Sequence, residues 1–129
     1  VIFYLLLSNG VEENVDAAFA RTCRQVEGVM AAHGIVEPFR LTACLTDGER
    51  LYALRHSSDR ASPTLFYALG GGISVDQGCC RFESSQGDVL VLSEPLDAIE
   101  AVWHEVPEGH MLTTSGGRVE LHPFDPTLR

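Results

Sequence analysis

Hydrophobic residues in this chain follow two periods, and the change falls near Pro38. VIFYLLL at positions 1–7 is apolar on every side, and Ser8-Asn9-Gly10 then supplies a helix stop, with Asn9 or Gly10 suited to a left-handed cap. A fully buried strand is the rival reading. A helix is favoured because the next segment, NVDAAFARTCRQVEGVMAAHG, is plainly helical and the two would pair as an αα-hairpin. In that segment Asn14 is the expected N-cap, Glu12, Glu13 and Asp16 lie near the positive end of the dipole, and Gly34 ends the helix. Val15, Ala18, Phe19, Cys23, Val26 and Met30 recur at three- and four-residue steps and form one stripe fit to cover a sheet. Arg21, Arg24 and Gln25 face water.

Beyond Pro38 the residues alternate. FRLTACLT and ERLYALRH flank Asp47-Gly48, a strong hairpin signal. A two-residue turn there sets Thr46 opposite Glu49. One face then carries Phe39, Leu41, Ala43, Leu45, Tyr52 and Leu54; the other carries Thr42, Cys44, Leu51 and Ala53, with Arg40 across from Arg55. Neither face is purely polar, so the hairpin is expected to be covered on both sides. HSSDRASP reads as a loop, TLFYAL as a third strand ending in Gly70-Gly71-Gly72, and ISVDQGCCRFESSQG as a long hairpin or excursion. DVLVLSEP is a fourth strand, and Pro95 with LDAIEA allows a short helix. VWHEV, HMLTT and RVELHPF, parted by turns at Val106-Pro107-Glu108-Gly109 and Ser115-Gly116-Gly117, are three more short strands. Helices followed by strands indicate an α+β fold.

Composition narrows the classes. The 129 residues suffice for one domain with a real core. Eighteen acids against nine bases, every one an arginine, leave a net charge of −9. Such a surface repels nucleic-acid backbones and anionic membranes, so neither is an expected partner. No apolar run approaches the roughly 20 residues of a spanning helix, and VIFYLLL lacks the basic flank and cleavage site of a signal peptide. The four cysteines, Cys23, Cys44, Cys79 and Cys80, lack the spacing of a zinc clamp or a redox pair. No metal or other cofactor is expected, and a reducing cytoplasm fits best.

Several constellations invite chemistry. Gly70-Gly71-Gly72 lacks the GK[ST] ending of a phosphate loop, and a strand-end turn is the preferred reading. His56, Ser57, Ser58 and Asp59 hold the types of a serine triad, yet residues adjacent in sequence do not normally point at one another, and no G-x-S-x-G elbow is present. His104, His110 and His122 lie on neighbouring expected strands, where scattered histidines are more often satisfied side chains than metal ligands. Arg55 sits on a small, apolar hairpin face and wants a carboxylate; an internal salt bridge with Glu94 or Asp59 is preferred over a ligand anion. Ser93-Glu94 closes a hydrophobic strand, at a common site position that equally suits starting the helix after Pro95. No complete catalytic set emerges from these residues.

In order along the chain, LTDGERLYALRHSS, SPTLFY, VLVLSEPLD and VWHEVPEGHML resemble the later half of stand-alone class II glutamine amidotransferases, which are N-terminal-nucleophile hydrolases. The likeness covers nearly the whole chain, and its most specific part is the ordered set TDG, LxAxR, SEPL and WxxVPxG. It implies part of a four-layer αββα sandwich with mainly antiparallel sheets. It also implies hydrolysis of glutamine or a γ-glutamyl compound to glutamate plus ammonia or an amine. An N-terminal cysteine attacks the γ-amide carbon there, and its own α-amino group is the base. The family's substrate-binding arginine, oxyanion Asn-Gly pair and Asp-Ser-Glu stretch all precede the point where this chain begins. Val1 has no sulfur or oxygen to attack with, and an internal cysteine lacks the free α-amine.

The resemblance therefore implies that residues 1–129 are the C-terminal portion of one glutamine amidotransferase domain. VIFYLLL would be the body of a helix whose first turn lies upstream. The full-length protein is expected to be an enzyme and this chain alone to be inactive, with no catalytic residue of its own. Arg55, Ser93 and Glu94 are the candidate pocket-wall residues. Expected partners are the N-terminal half of the same domain and a γ-glutamyl small molecule. A truncated sandwich exposes apolar surface, so a tightly held complementary segment or self-association, including a homo-oligomer, is expected. Two rivals are a non-catalytic αββα binding or regulatory module and a small metal or redox protein using Cys79-Cys80.

Overall fold

The computed structural model describes residues 1–97 and 102–127, with backbone alone at 71–73, 76 and 79–86. Two helices, α1 (Ile2–Ser8) and α2 (Val15–Ala32), precede seven strands. These are β1 (Arg40–Thr46), β2 (Leu51–Ser57), β3 (Phe66–Asp76), β4 (Cys79–Leu92), β5 (His104–Glu105), β6 (His110–Ser115) and β7 (Arg118–Pro123). They form two antiparallel sheets, one of order β1-β2-β6-β7 and one of order β4-β3-β5. The fold is α+β, with helices and strands in the order expected.

Local chemistry sets the helix ends. The Asn14 side chain accepts a hydrogen bond from the Ala17 amide at 2.9 Å, a cap worth about 1 kcal/mol. At the other end Gly34 takes φ +69°, and the amides of Gly34 and Ile35 reach back to the carbonyls of Ala31 and Met30. That pattern is a Schellman stop. After α1 it is Gly10 that turns left-handed, at φ +79°. Asn9 is thereby left to bond across the hairpin. Its side-chain amide donates to Thr22 Oγ1 at 3.0 Å, and its backbone carbonyl accepts from Arg21 at 2.7 Å. Those bonds pin α1 to α2.

Ala53 and Leu54 are both completely buried although they are consecutive. A strand sends neighbours to opposite faces, so each face of β2 must be covered. Leu54 joins Met111 and the half-buried Leu41, Ala43 and Tyr52 beneath Leu6, Ala18, Phe19 and Cys23 of the helices. Ala53 joins Leu112 on the other side, against Leu65, Val106, Tyr67 and Val91 of the second sheet region. Helices, sheet and sheet therefore stack in that order, and full burial of a side chain such as Leu54 stabilises by about 2 kcal/mol.

Three expectations need correction. The β1–β2 register is offset by two residues: Thr46 pairs with Leu51, Thr42 with Arg55, and Arg40 with Ser57. The reason is a four-residue loop, in which Asp47 accepts hydrogen bonds from the amides of Glu49 and Arg50 and Thr46 donates to the Arg50 carbonyl. An offset of two preserves the faces and separates the two arginines. Second, Gly70-Gly71-Gly72 does not end a strand. β3 runs through it and slips against β4 between Leu69 and Gly71, then turns at Gln77-Gly78, where both residues have positive φ. Third, VWHEV shrinks to His104–Glu105, and on its C-terminal side Pro107 has no amide to extend the ladder. The helix expected after Pro95 falls partly on residues 98–101, outside the described residues.

The sheets also touch at their rims. A Cβ built on Gly117, in the β6–β7 turn, would lie 2.8 Å from the Gly87 carbonyl oxygen on β4. At the opposite side of the first sheet, His122 of β7 meets Asp16 of α2 at 2.6 Å, and Arg24 donates to the Pro126 carbonyl. Among the described residues no helix is long and apolar enough to cross a membrane.

Candidate functional site

Alternation along β2 aims Arg55 into the space between the sheets and His56 at the helices. Arg55 is buried, and its guanidinium is held through Nε and Nη1. It donates to Ser62 Oγ at 3.0 Å, to Glu105 Oε1 at 2.6 Å and to the Val106 carbonyl at 2.6 Å. Glu108 Oε2 lies 3.8 Å from its Nε and accepts from the amide and hydroxyl of Ser62. A buried cation held by two carboxylates and a carbonyl is an internal clamp. Its partners are not Glu94 or Asp59, as the sequence suggested. Asp59 is taken by Arg40 at 2.7 Å and by the Ser57 hydroxyl, which together hold its carboxyl well below the usual carboxylate range.

The segment 62–65 ties the clamp to the other candidates. Ser62 bonds Arg55, Thr64 donates to the Ser93 carbonyl at 2.9 Å, and the Leu65 carbonyl accepts from the Val106 amide at 2.8 Å. Ser93 and Glu94 are exposed just beyond the end of β4. Two of the sequence stretches that carry the resemblance thus meet in space: LxAxR supplies Arg55, and WxxVPxG supplies the Val106 carbonyl flanked by Glu105 and Glu108. Trp103 of the second stretch donates to Asp97, the residue after SEPL. Gly109, which closes WxxVPxG, accepts from the Phe124 amide at 2.7 Å at φ +67°.

On the other face of β2, His56 packs edge-on against Phe124, with ring centroids 5.4 Å apart. Its Nε2 is 3.7 Å from Glu27, beyond hydrogen-bond range, and has no hydrogen-bond partner among the described residues. Glu27, His56, Ser58, Arg60, Glu108 and Asp125 line a cleft of about 680 Å³ at this end of the first sheet. A second cleft, of about 670 Å³, lies between α1, the start of α2 and the β1–β2 loop.

The remaining constellations stay apart. His56 and Ser57 point to opposite faces, and Ser57 is occupied by Asp59, so no triad forms. His104 stacks on Tyr67, His110 contacts the Glu108 carbonyl, and His122 is paired with Asp16. Burial pushes the Cys23 thiol up to about 12, which leaves it an inert core residue. The side chains of Cys79 and Cys80 lie outside the described residues. Sequence reasoning missed Glu105, Glu108 and Ser62 as the partners of Arg55. The available signal was the pair of acids around Val106-Pro107, a turn that brings both toward one cation.

Neither a family model nor a curated protein matches the chain. Among solved structures it is similar to a glutamine aminotransferase class-II domain protein from Silicibacter pomeroyi. The two share 33% sequence identity with a TM-score of 0.75, over 98% of this chain. The chain spans about half, 51%, of that protein's length. The chain is thus similar, in sequence and in fold, to a class II glutamine aminotransferase domain protein.

Proposed function

We propose that residues 1–129 are the C-terminal portion of a class II glutamine amidotransferase domain, and that the whole protein hydrolyses a γ-glutamyl amide. In this reading a cysteine thiolate at the N-terminus of the whole protein attacks the γ-carbonyl carbon. The α-amino group of that cysteine takes the thiol proton and passes it to the departing ammonia or amine. Water then cleaves the thioester, returning the thiol and releasing glutamate. The observation that carries the reading is 33% identity sustained over 98% of the chain in a shared fold.

The part played by this chain is a frame. Arg55 and Ser93-Glu94 border the substrate pocket, Arg55 by fixing Glu105 and Glu108 between the sheets. An arginine whose charge is already met by carboxylates positions neighbouring backbone and is not itself free to pair with a substrate carboxylate. The test is glutaminase activity of the whole protein before and after its N-terminal cysteine is changed to alanine. Loss of turnover is expected, and turnover unaffected by the change overturns the mechanism.

A further inference from the structure

α1 is apolar in six of its seven residues, IFYLLLS, yet only Leu6 is buried. Phe3 is 58% and Tyr4 73% exposed, and Val1 and Leu7 are exposed beside them. A helix that is apolar all round normally has cover on every side. Phe3 and Leu7 line the second cleft together with Glu12, Glu13, Asp16, Asp47 and Arg50. Of these, Asp16 is paired with His122 and Asp47 with the β1–β2 loop amides, so Glu12 and Glu13 carry the cleft's acidic character. An apolar ridge with an acidic rim asks for apolar anchors flanked by arginine or lysine. A second copy of this chain is a poor occupant, because a two-fold contact sets the acidic rim against itself in a molecule of net charge −9.

We infer that the outer face of α1 and the adjoining acidic cleft are a docking surface for a polypeptide segment with basic residues beside apolar anchors, contributed by the other half of the same domain. This rests on the proposed function, and on the chain matching only 51% of the similar protein's length.

Hydroxyl-radical footprinting read by mass spectrometry tests it, comparing the 129-residue chain with the whole protein. Oxidation at Phe3, Tyr4 and Leu7 is expected to fall severalfold in the whole protein, while Tyr67, outside the cleft, keeps its rate. Charge reversal by E12R with E13R is made in both proteins, so that its effect on the start of α2 is measured in the chain alone; a larger loss of melting temperature and of protection is expected in the whole protein. Equal oxidation of Phe3 and Tyr4 in the two proteins overturns the inference. So does protection that appears in the 129-residue chain as its own concentration is raised, which makes a second copy the occupant. Glutaminase assays on the same whole protein separate the two ideas. A protected α1 without activity leaves the surface standing and sinks the function; activity with an unprotected α1 does the reverse.

Discussion

The guanidinium of Arg55 and the carboxylate of Glu105 meet at 2.6 Å across the space between two sheets. Arg55 belongs to β2 of the first sheet and Glu105 to β5 of the second, so one side chain spans the sandwich. Shortening it leaves Glu105, Ser62 Oγ and the Val106 carbonyl without their donor and Glu108 without its counter-charge. Arg55→Ala is expected to cost about 3 kcal/mol, read from urea unfolding. Arg55→Lys keeps the charge but loses the planar fork, and falls between the two. A cost below about 1 kcal/mol for Arg55→Ala contradicts the clamp.

Gly117 and Gly87 approach so closely that no side chain fits between them. Gly117→Ala sets a methyl group 2.8 Å from a carbonyl oxygen at φ +77°, combining a clash with left-handed strain. Gly116→Ala, next door at φ +55° with open space around it, bears the strain alone, on the order of 1 kcal/mol. Thermal melts are expected to rank wild type above Gly116→Ala, and Gly116→Ala above Gly117→Ala. The reverse order of the two variants removes the case for contact between the sheet rims.

Cys23 titrates at about 12 because burial, and then Glu27, disfavour its thiolate. An unfolded chain ionises its cysteines near pH ~8.5. Between those limits the unfolded state carries fewer protons, so stability falls as pH rises through that window. The native protein should resist iodoacetamide at Cys23 at about pH 8 and react there after denaturation. Fast native labelling at that position rejects the packed core around α2.

Asp59 runs the other way. Arg40, and then Ser57, hold its carboxyl below its unfolded value, so its contribution is present above about pH 4 and drains as pH falls. Asp47 behaves likewise through the amides of Arg50 and Glu49. Asp59→Asn should flatten the acid limb of a stability–pH curve with little change at neutral pH beyond loss of the exposed pair. High salt should mimic part of that loss. An acid limb identical to wild type counts against the Arg40–Asp59–Ser57 arrangement.

What the sequence disclosed depended on how local the cause was. Asn14 and Gly34 act within one turn of themselves, and both ends of α2 were readable from them. The faces of the β1–β2 hairpin were readable because a two-residue offset conserves alternation, even though Asp47-Gly48 suggested too short a turn. The side chains of Thr46 and Asp47 make the longer loop, and that competition was not visible in the dipeptide. Gly70-Gly71-Gly72 misled for a related reason: glycines that punctuate a loop also permit a slip inside a strand. Arg55 was marked as wanting a carboxylate, yet its partner Glu105 sits 50 residues away, and no local pattern distinguishes Glu105 from Glu94.

Two contacts join residues more than a hundred positions apart: His122 to Asp16, and Arg24 to the Pro126 carbonyl. Helices form quickly, and Leu41, Ala43 and Leu54 of β1 and β2 can pack under α2 early, but its links to His122 and Pro126 wait for β7 and the residues after it. On the ribosome, α2 therefore gains cover in two stages, first from the hairpin that follows it and last from β7 and Phe124.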